Sequence, residues 1–122
     1  MYQFLKFVPQ AIQNLGVDLL LGLMMKRNPG IVDRLAQLEG KVFLFDAHDI
    51  AKCYFLHVRN GYLTVGPPVE KPDVSMRGEI GTLLSLLRKK ADADSAFFMR
   101  KLKLEGDVKT SVYFKNVLEN IE

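Results

Sequence analysis

The stretch VFLFDAHDIAKCYFLHVRNGYLTV, residues 42–65, decides the fold. Its β-branched and aromatic side chains concentrate in two runs, at 42–45 and 53–58, which predict two consecutive strands. The pair Asn60-Gly61 follows, and both central positions of a tight hairpin turn need a positive φ, which these residues tolerate. Residues 62–65 then supply the returning strand. The stretch therefore predicts a three-stranded antiparallel meander.

The segments on either side of the meander predict helices and two further strands. Upstream, a helix over 10–26 is followed by a shorter one that ends at Gly40, a typical helix C-cap. In chain order, the downstream elements are a strand at 73–77, a helix at 80–90, a short helix around 96–98, a strand at 101–105 and a helix from 107. We expect an α+β fold with a mostly antiparallel five-stranded sheet, helices covering it and an N-terminal helical hairpin. Residues 1–40 are expected to pack on residues 41–122 as one structural domain.

The first helix has an unusually wide apolar surface. Four large apolar residues recur along it at steps of three and four: Ile12, Leu15, Leu19 and Leu23. Gln13, Asn14 and Asp18 are left for the other side of the helix. Because this stripe is wider than a surface helix needs, we expect another group or molecule to cover part of it.

Composition limits the class of protein. The chain has 122 residues, enough for one domain with a real core, and 48% apolar with 25% charged residues is typical of folded globular proteins. Net charge is 17 − 14 = +3, too small to favour a nucleic-acid partner, although an anionic membrane surface stays possible. No signal-peptide pattern is present, and the most apolar stretch, 17–25, is too short to span a bilayer. We expect a cytoplasmic protein, peripheral to the inner membrane at most.

Candidate catalytic residues are few. Cys53 and His57 look like a dyad, but four residues along a strand separate them by about 13 Å, far beyond hydrogen-bond reach. We expect Cys53 to be a small apolar filler and His57 to have one satisfied ring nitrogen. Adjacent His48 and Asp49 would point to opposite faces of a strand, so they are expected to shape a corner. We therefore predict no catalytic residue, no metal ion and no cofactor.

The segment AFFMRKLKLEGD, residues 96–107, resembles the C-terminal signature of sterol carrier protein domains. In that family a Phe-rich turn leads into a Lys-Leu-rich strand, a Gly-Asn/Asp corner and a final helix. The likeness extends upstream through the strand at 73–75 and the Asn60-Gly61 hairpin, so that it covers roughly 40–122. The chain is thus similar to sterol carrier domains in order, spacing and residue type.

Within that family, the chain most resembles a bacterial branch of accessory lipid-binding factors of ubiquinone biosynthesis. The shared features are 38–40, 49–50, Phe97-Phe98 with the basic pair after them, Tyr113 and 115–116. Arg100 departs from the glycine usual in eukaryotic sterol carriers, which argues against a sterol as the ligand.

The resemblance implies a non-catalytic carrier that holds an isoprenoid quinone precursor or a phospholipid in an internal tunnel between sheet and helices. It also implies contact with a membrane surface or with enzymes of ubiquinone biosynthesis. The family positions around the cavity correspond to Phe97, Phe98, Leu102, Leu104, Phe114, Val117 and Leu118. Another wall is expected from Leu83, Leu84 and Leu87, and a movable lid from Leu19, Leu20, Leu23 and Met24.

A different class of function fits the same leucine-rich helix. An apolar helix face can dock on a partner protein or on a second copy of the chain. The alternative is therefore a protein-interaction module, a homodimer included.

Overall fold

The computed structural model describes residues 5, 7–88 and 100–121, and these form one five-stranded sheet with four α-helices. The strands are β1 Val42–Ala47, β2 Lys52–Arg59, β3 Tyr62–Gly66, β4 Val74–Gly78 and β5 Lys103–Gly106. The helices are α1 Gln10–Arg27, α2 Gly30–Leu35, α3 Ile80–Leu87 and α4 Val108–Glu119, with a 3-10 turn over Ala36–Leu38 after α2. The α+β prediction is confirmed, while the short helix expected around 96–98 lies outside the described residues.

The sheet has the order β3-β2-β1-β4-β5. Three of its neighbouring pairs are antiparallel, as predicted, whereas β1 and β4 run parallel, so the sheet is mixed. Residues 67–73 carry the chain from the edge strand β3 to the far side of β1. Asp73 fixes the arrival point, because its N–H donates to the Val42 carbonyl and its carboxylate accepts from the Val42 N–H, both at 2.8 Å.

The predicted hairpin turn between β2 and β3 is confirmed. Asn60 and Gly61 have φ values of 55° and 79°, the left-handed region that such a turn requires. Glu39 holds the turn, since its carboxylate accepts from the N–H groups of both residues at 2.9 and 3.1 Å. A Cβ at Gly61 would lie 2.6 Å from the Val32 carbonyl oxygen, so this position has no room for a side chain.

One face of the sheet is buried under the helices. Along β1 and β2, Phe43, Phe45 and Tyr54 alternate inward and are fully buried. The ring of Phe114 on α4 stacks on Phe43, with centroids 3.8 Å apart and planes 9° apart. These aromatic side chains fill the space between the sheet and α4.

The orientation of α1 corrects the sequence analysis. The four-residue stripe that includes Leu15 and Leu19 points outward, with side chains 47% to 73% exposed. The buried face instead carries Val17, Leu21, Met24 and Met25, together with Gln13. The helix thus has a second apolar series at helical spacing, and that series packs on the domain.

Polar contacts explain why the second apolar series of α1, and not the first, packs on the domain. Asp18 accepts a hydrogen bond from the N–H of Val65 at 3.0 Å, which covers a free donor of the edge strand β3. Gln13 is hydrogen-bonded to the buried Tyr54 on β2. Turning the outer leucines inward would break both contacts. Among the described residues, no helix combines the length and apolar character needed to span a bilayer.

Candidate functional site

An apolar cleft opens to solvent between α1 and α3. Its volume is about 250 Å³, and its walls are almost wholly apolar. The side of α1 contributes Ile12, Gly16, Val17 and Leu20, and α3 contributes Ile80 and Leu84. Between these walls the described residues leave an open apolar cleft beside α1.

Both ends of α3 are held in place by side chains from elsewhere in the chain. At its start, the Asp49 carboxylate accepts from the N–H of Ile80 at 3.0 Å, which satisfies a free donor of the first turn. At its end, the Arg27 guanidinium donates to the Leu87 carbonyl at 2.7 Å, where a cation also complements the helix dipole. The second contact ties the C-terminal end of α1 to that of α3, beyond the residues that line the cleft.

The floor of the cleft contains a polar pair. Gln13 donates through Nε2 to the carbonyls of Leu5 and Val8, and this sets the orientation of its amide. Its Oε1 accepts from the Tyr54 hydroxyl. Because these polar groups satisfy one another, the surface that the cleft offers is apolar.

Tyr54, in the floor of the cleft, should make the free energy of unfolding depend on pH in alkaline solution. Burial, then the charge of Asp49 and then that of Cys53, raise the pKa of Tyr54 from 10.0 to about 12. The unfolded chain loses this proton first, so the contribution of Tyr54 to stability is constant below pH 10 and is lost as the pH rises toward 12. We expect the loss in unfolding free energy to be roughly 1–3 kcal/mol, since one pKa unit corresponds to about 1.4 kcal/mol. Urea unfolding at pH 9 and pH 11.5 measures this loss. The Tyr54→Phe variant should lose less unfolding free energy between the two pH values, by the amount that Tyr54 contributes.

Two of the predicted ligand contacts lie in the cleft, Leu20 and Leu84. Two others, Leu102 and Leu104, line a separate groove between β5 and α4. Six more are buried in the core: Met24, Leu83, Leu87, Phe114, Val117 and Leu118. For these ten residues, contact with a ligand stays a prediction.

The remaining predicted contacts lie elsewhere. Leu19 and Leu23 belong to the outer stripe of α1 and face solvent, so they do not lie over the cleft as a lid. They face outward because the hydrogen bonds of Asp18 and Gln13 fix the orientation of α1. Phe97 and Phe98 lie outside the described residues.

Gly16 is a cleft residue that the sequence analysis missed. A glycine in the middle of a leucine-rich helix costs about 1 kcal/mol relative to alanine, and this cost is a local signal for special use of the position. At this position the missing side chain leaves open space in the cleft wall, because a Cβ at Gly16 would meet no atom within 4 Å. No comparable feature of the sequence marked Ile80, on the opposing wall, as a cleft residue.

Cys53 and His57, which the sequence analysis rejected as a dyad, have separate partners in the structure. The Nε2 of His57 lies 2.8 Å from the Pro67 carbonyl, which confirms that one ring nitrogen is satisfied. The prediction that Cys53 is an apolar filler is wrong, because alternation along β2 turns it outward and it is exposed. Partial burial of the thiol and the nearby Asp46 raise the pKa of Cys53, which disfavours the reactive thiolate. Within the described ranges, no three His, Cys, Asp or Glu side chains cluster as metal ligands.

Comparison with known proteins assigns the fold to a family. The profile of the SCP-2 sterol transfer family matches residues 21–119, which include the whole sheet and the end of α1. The chain belongs to the SCP-2 sterol transfer family. The resemblance seen in the sequence is thereby confirmed.

The curated proteins that the chain resembles include a ubiquinone biosynthesis factor. The chain is 36% identical over 85 residues to the ubiquinone biosynthesis accessory factor UbiT of Escherichia coli K12, an alignment that covers 70% of this chain and 48% of UbiT. The UbiT sequence of E. coli O157:H7 matches equally. The chain thus spans about half the length of the curated relatives it matches.

Solved structures share the SCP-2 architecture. The UbiJ-SCP2 ubiquinone synthesis protein superposes with a TM-score of 0.66 at 18% identity, covering 92% of this chain and 97% of that one. The inverting sec-alkylsulfatase Pisa1 from Pseudomonas sp. has a TM-score of 0.56 at 26% identity, covering 86% of this chain but 16% of the enzyme. The first likeness shows the fold, and the second is confined to a small part of a larger protein.

Proposed function

We propose that the protein is a non-catalytic, lipid-binding accessory factor of ubiquinone biosynthesis. Its ligand would be an isoprenoid quinone precursor or a phospholipid, with an apolar segment held in the cleft between α1 and α3. The observation that carries the proposal is the apolar cleft, found in a member of the SCP-2 family that is 36% identical to UbiT over 85 residues. Leu20 and Leu84 are the proposed contacts on its two walls.

The size of the cleft indicates how much of the ligand it can take. An engineered apolar cavity of about 150 Å³ binds benzene, so about 250 Å³ is enough for a ring or a few chain units. Burying one methylene contributes about 0.8 kcal/mol, and five would give about 4 kcal/mol before ordering costs. The rest of a long lipid would extend through the open mouth of the cleft.

The proposed role requires no chemical step, because release and uptake of a lipid break no covalent bond. The apolar lining supports binding and offers no nucleophile or general base. Since α1 forms one wall and 41–122 supply the other, we also propose that residues 1–40 and 41–122 act as one structural domain.

Native mass spectrometry of the purified protein tests this function. We expect a non-covalent lipid adduct, and after delipidation we expect the protein to rebind a farnesylated phenol or a phospholipid with one molecule per chain. Failure to retain any lipid, followed by failure to rebind either probe, would contradict the proposal.

A second candidate function is docking through the outer face of α1, called here the outer stripe and made of Ile12, Leu15, Leu19 and Leu23. The exposed Lys26 follows at its C-terminal end, and Asp18 lies to the side toward β3. An apolar stripe with a cation and no carboxylate of its own fits the surface of an anionic membrane. We propose such peripheral contact, on the cytoplasmic side, as the place where the lipid is exchanged.

Leu19→Glu should weaken binding to vesicles of phosphatidylglycerol and phosphatidylcholine about tenfold or more. The substitution removes a leucine worth about 1.5–3 kcal/mol and adds a repelled charge. Flotation of the protein with vesicles measures the effect, and Val108→Glu is the matched control because Val108 is also an exposed apolar residue, on α4 and outside the outer stripe. Unchanged flotation, combined with a dimer in light scattering that Leu19→Glu dissociates, would instead assign the outer stripe to protein interaction.

A further inference from the structure

The two edges of the sheet differ in how their backbone groups are covered. At the β3 edge, side chains of α1 accept from the N–H groups that point away from the sheet. Asp18 accepts from the Val65 N–H at 3.0 Å, and the Sδ atom of Met25 accepts from the Leu63 N–H at 3.3 Å. Covering an edge in this way prevents it from pairing with another strand. The described residues give the β5 edge no such cover.

Hydrogen bonds along β4 show which groups of β5 point away from the sheet. The Gly78 carbonyl accepts from the His48 N–H, just after β1, so the even-numbered residues of β4 face β1. The odd-numbered residues of β4 face β5 and pair there with Lys103 and Glu105. The N–H and C=O of Leu104, between those two residues, therefore point outward. In the described part of the chain, no group accepts from the Leu104 N–H.

The side chains of β5 carry opposite charges at positions that an antiparallel copy of the strand would bring together. Lys103 and Glu105 flank Leu104, and their side chains are 75% and 71% exposed. If two β5 strands paired with Leu104 at the centre, Lys103 of each copy would lie opposite Glu105 of the other. An edge strand with charges of one sign repels a copy of itself, whereas this alternation attracts one.

Apolar surface lies beside the same edge. Val112 on α4 is 54% exposed, and it lines a groove together with Leu104, which is only partly buried. A second copy paired along β5 would bring its own Leu104 and Val112 to this side of the sheet, while the charged side chains meet on the other side. The β5 edge is therefore complementary to itself in backbone groups, in charge and in apolar surface.

We propose that the protein forms a reversible homodimer in which β5 pairs antiparallel with β5 of a second copy. The two-fold axis passes beside Leu104, whose N–H and C=O bond to the same groups of the second copy, and the two five-stranded sheets become one continuous sheet. Lys103 and Glu105 form two reciprocal ion pairs across the axis. Because α1 lies over β3, at the opposite edge, the cleft and the outer stripe of both copies stay free.

Sedimentation velocity over a series of protein concentrations measures the dissociation constant of this dimer. Lys103→Glu places two carboxylates opposite each other on both sides of the axis, so we expect the dimer to weaken about tenfold or more. Glu105→Lys should have the same effect with two cations. The double variant that exchanges both charges restores opposite signs at every pair, so its dissociation constant should return to within about threefold of the original.

Two control variants separate this interface from other surfaces. Arg59→Glu makes the same change of charge at an exposed position of β2, three strands away from β5, and should leave the dissociation constant unchanged. Leu19→Glu, on the outer stripe, should also leave it unchanged, because the outer stripe lies at the other edge of the sheet. High ionic strength should weaken the dimer, since its charged pairs lie on an exposed face.

An engineered disulfide locates the two-fold axis. The chain has one cysteine, so a Cys53→Ser background leaves no other thiol. In that background, Leu104→Cys should form an intermolecular disulfide under mild oxidation, because the Cα atoms of such an opposed pair lie about 5.5 Å apart, within the range that a disulfide spans. Arg59→Cys is the control and should remain reduced.

The proposal fails if the unmodified protein is monomeric throughout the concentration series. It also fails if the charge-exchanged double variant stays as weak as the single variants, or if Leu19→Glu dissociates the dimer. A protein that binds the lipid probes and does not dimerise would contradict this interface alone. A dimer that retains and rebinds no lipid would contradict only the proposed function.

Discussion

Gly16→Phe should reduce lipid binding in the cleft at least tenfold while the protein stays folded. The new side chain begins in open space on the cleft wall, so the phenyl ring can occupy the volume that a ligand segment needs. Excluding two or more methylenes from that volume removes about 1.6 kcal/mol or more, which corresponds to more than tenfold in affinity. Titration of the delipidated protein with a farnesylated phenol measures the change.

Gly22→Phe is the matched control for this prediction. Gly22 lies on the same helix, also has open space around a hypothetical Cβ, and does not line the cleft. Both substitutions replace a helical glycine, so both should stabilise α1 slightly, by a few tenths of a kcal/mol. Equal affinities of the two variants for the probe would show that the ligand does not occupy the cleft.

Phe114→Ala should have the largest effect on stability, a loss of about 3–5 kcal/mol in unfolding free energy. The ring is fully buried, stacks on Phe43 and fills the space between α4 and the sheet, so its removal leaves a cavity there. A domain of this size is stable by only about 6–18 kcal/mol, so the variant would lose a large fraction of that margin.

Urea unfolding followed by circular dichroism gives this value. Val108→Ala serves as control, because Val108 is on the same helix and exposed, and its truncation should change the unfolding free energy by less than about 0.5 kcal/mol. A loss below about 1 kcal/mol for Phe114→Ala would mean that the aromatic stack is not part of the core.

Local signals in the sequence were sufficient to predict the strands and the hairpin. The alternation in 53–58 and the pair Asn60-Gly61 act over a few residues, and they specify strand period and turn geometry directly. The parallel pairing of β1 with β4 was not predictable in the same way. It depends on Asp73 bonding to Val42, a contact between residues 31 apart in the chain.

The orientation of α1 shows why the site was only partly predicted. Two apolar series run along this helix at equal spacing, and periodicity alone cannot choose between them. The choice is made by Asp18 reaching Val65 and by Gln13 reaching Tyr54, contacts across 47 and 41 residues. The same long-range contacts place Leu20 in the cleft and Leu19 in the outer stripe.

The predicted ligand contacts on α1 lie both in the cleft and on the outer stripe, and this bears on how a lipid could be exchanged. A carrier needs one surface that holds an apolar chain and another that lets it meet a membrane, and α1 has both on adjoining flanks that share Ile12. Leu20 faces the cleft, while the outer stripe one residue away faces outward. If the outer stripe contacts a membrane as proposed, a small rotation or lift of α1 would join the cleft to that surface.

The most direct test of the cleft is to locate a bound ligand by nuclear magnetic resonance. With the leucine methyl groups labelled and a farnesylated phenol bound to the delipidated protein, we expect intermolecular nuclear Overhauser effects to the methyls of Leu20 and Leu84. Contacts confined to Leu15 and Leu19 on the outer stripe, with none to Leu20 or Leu84, would contradict the assignment of the cleft as the lipid site.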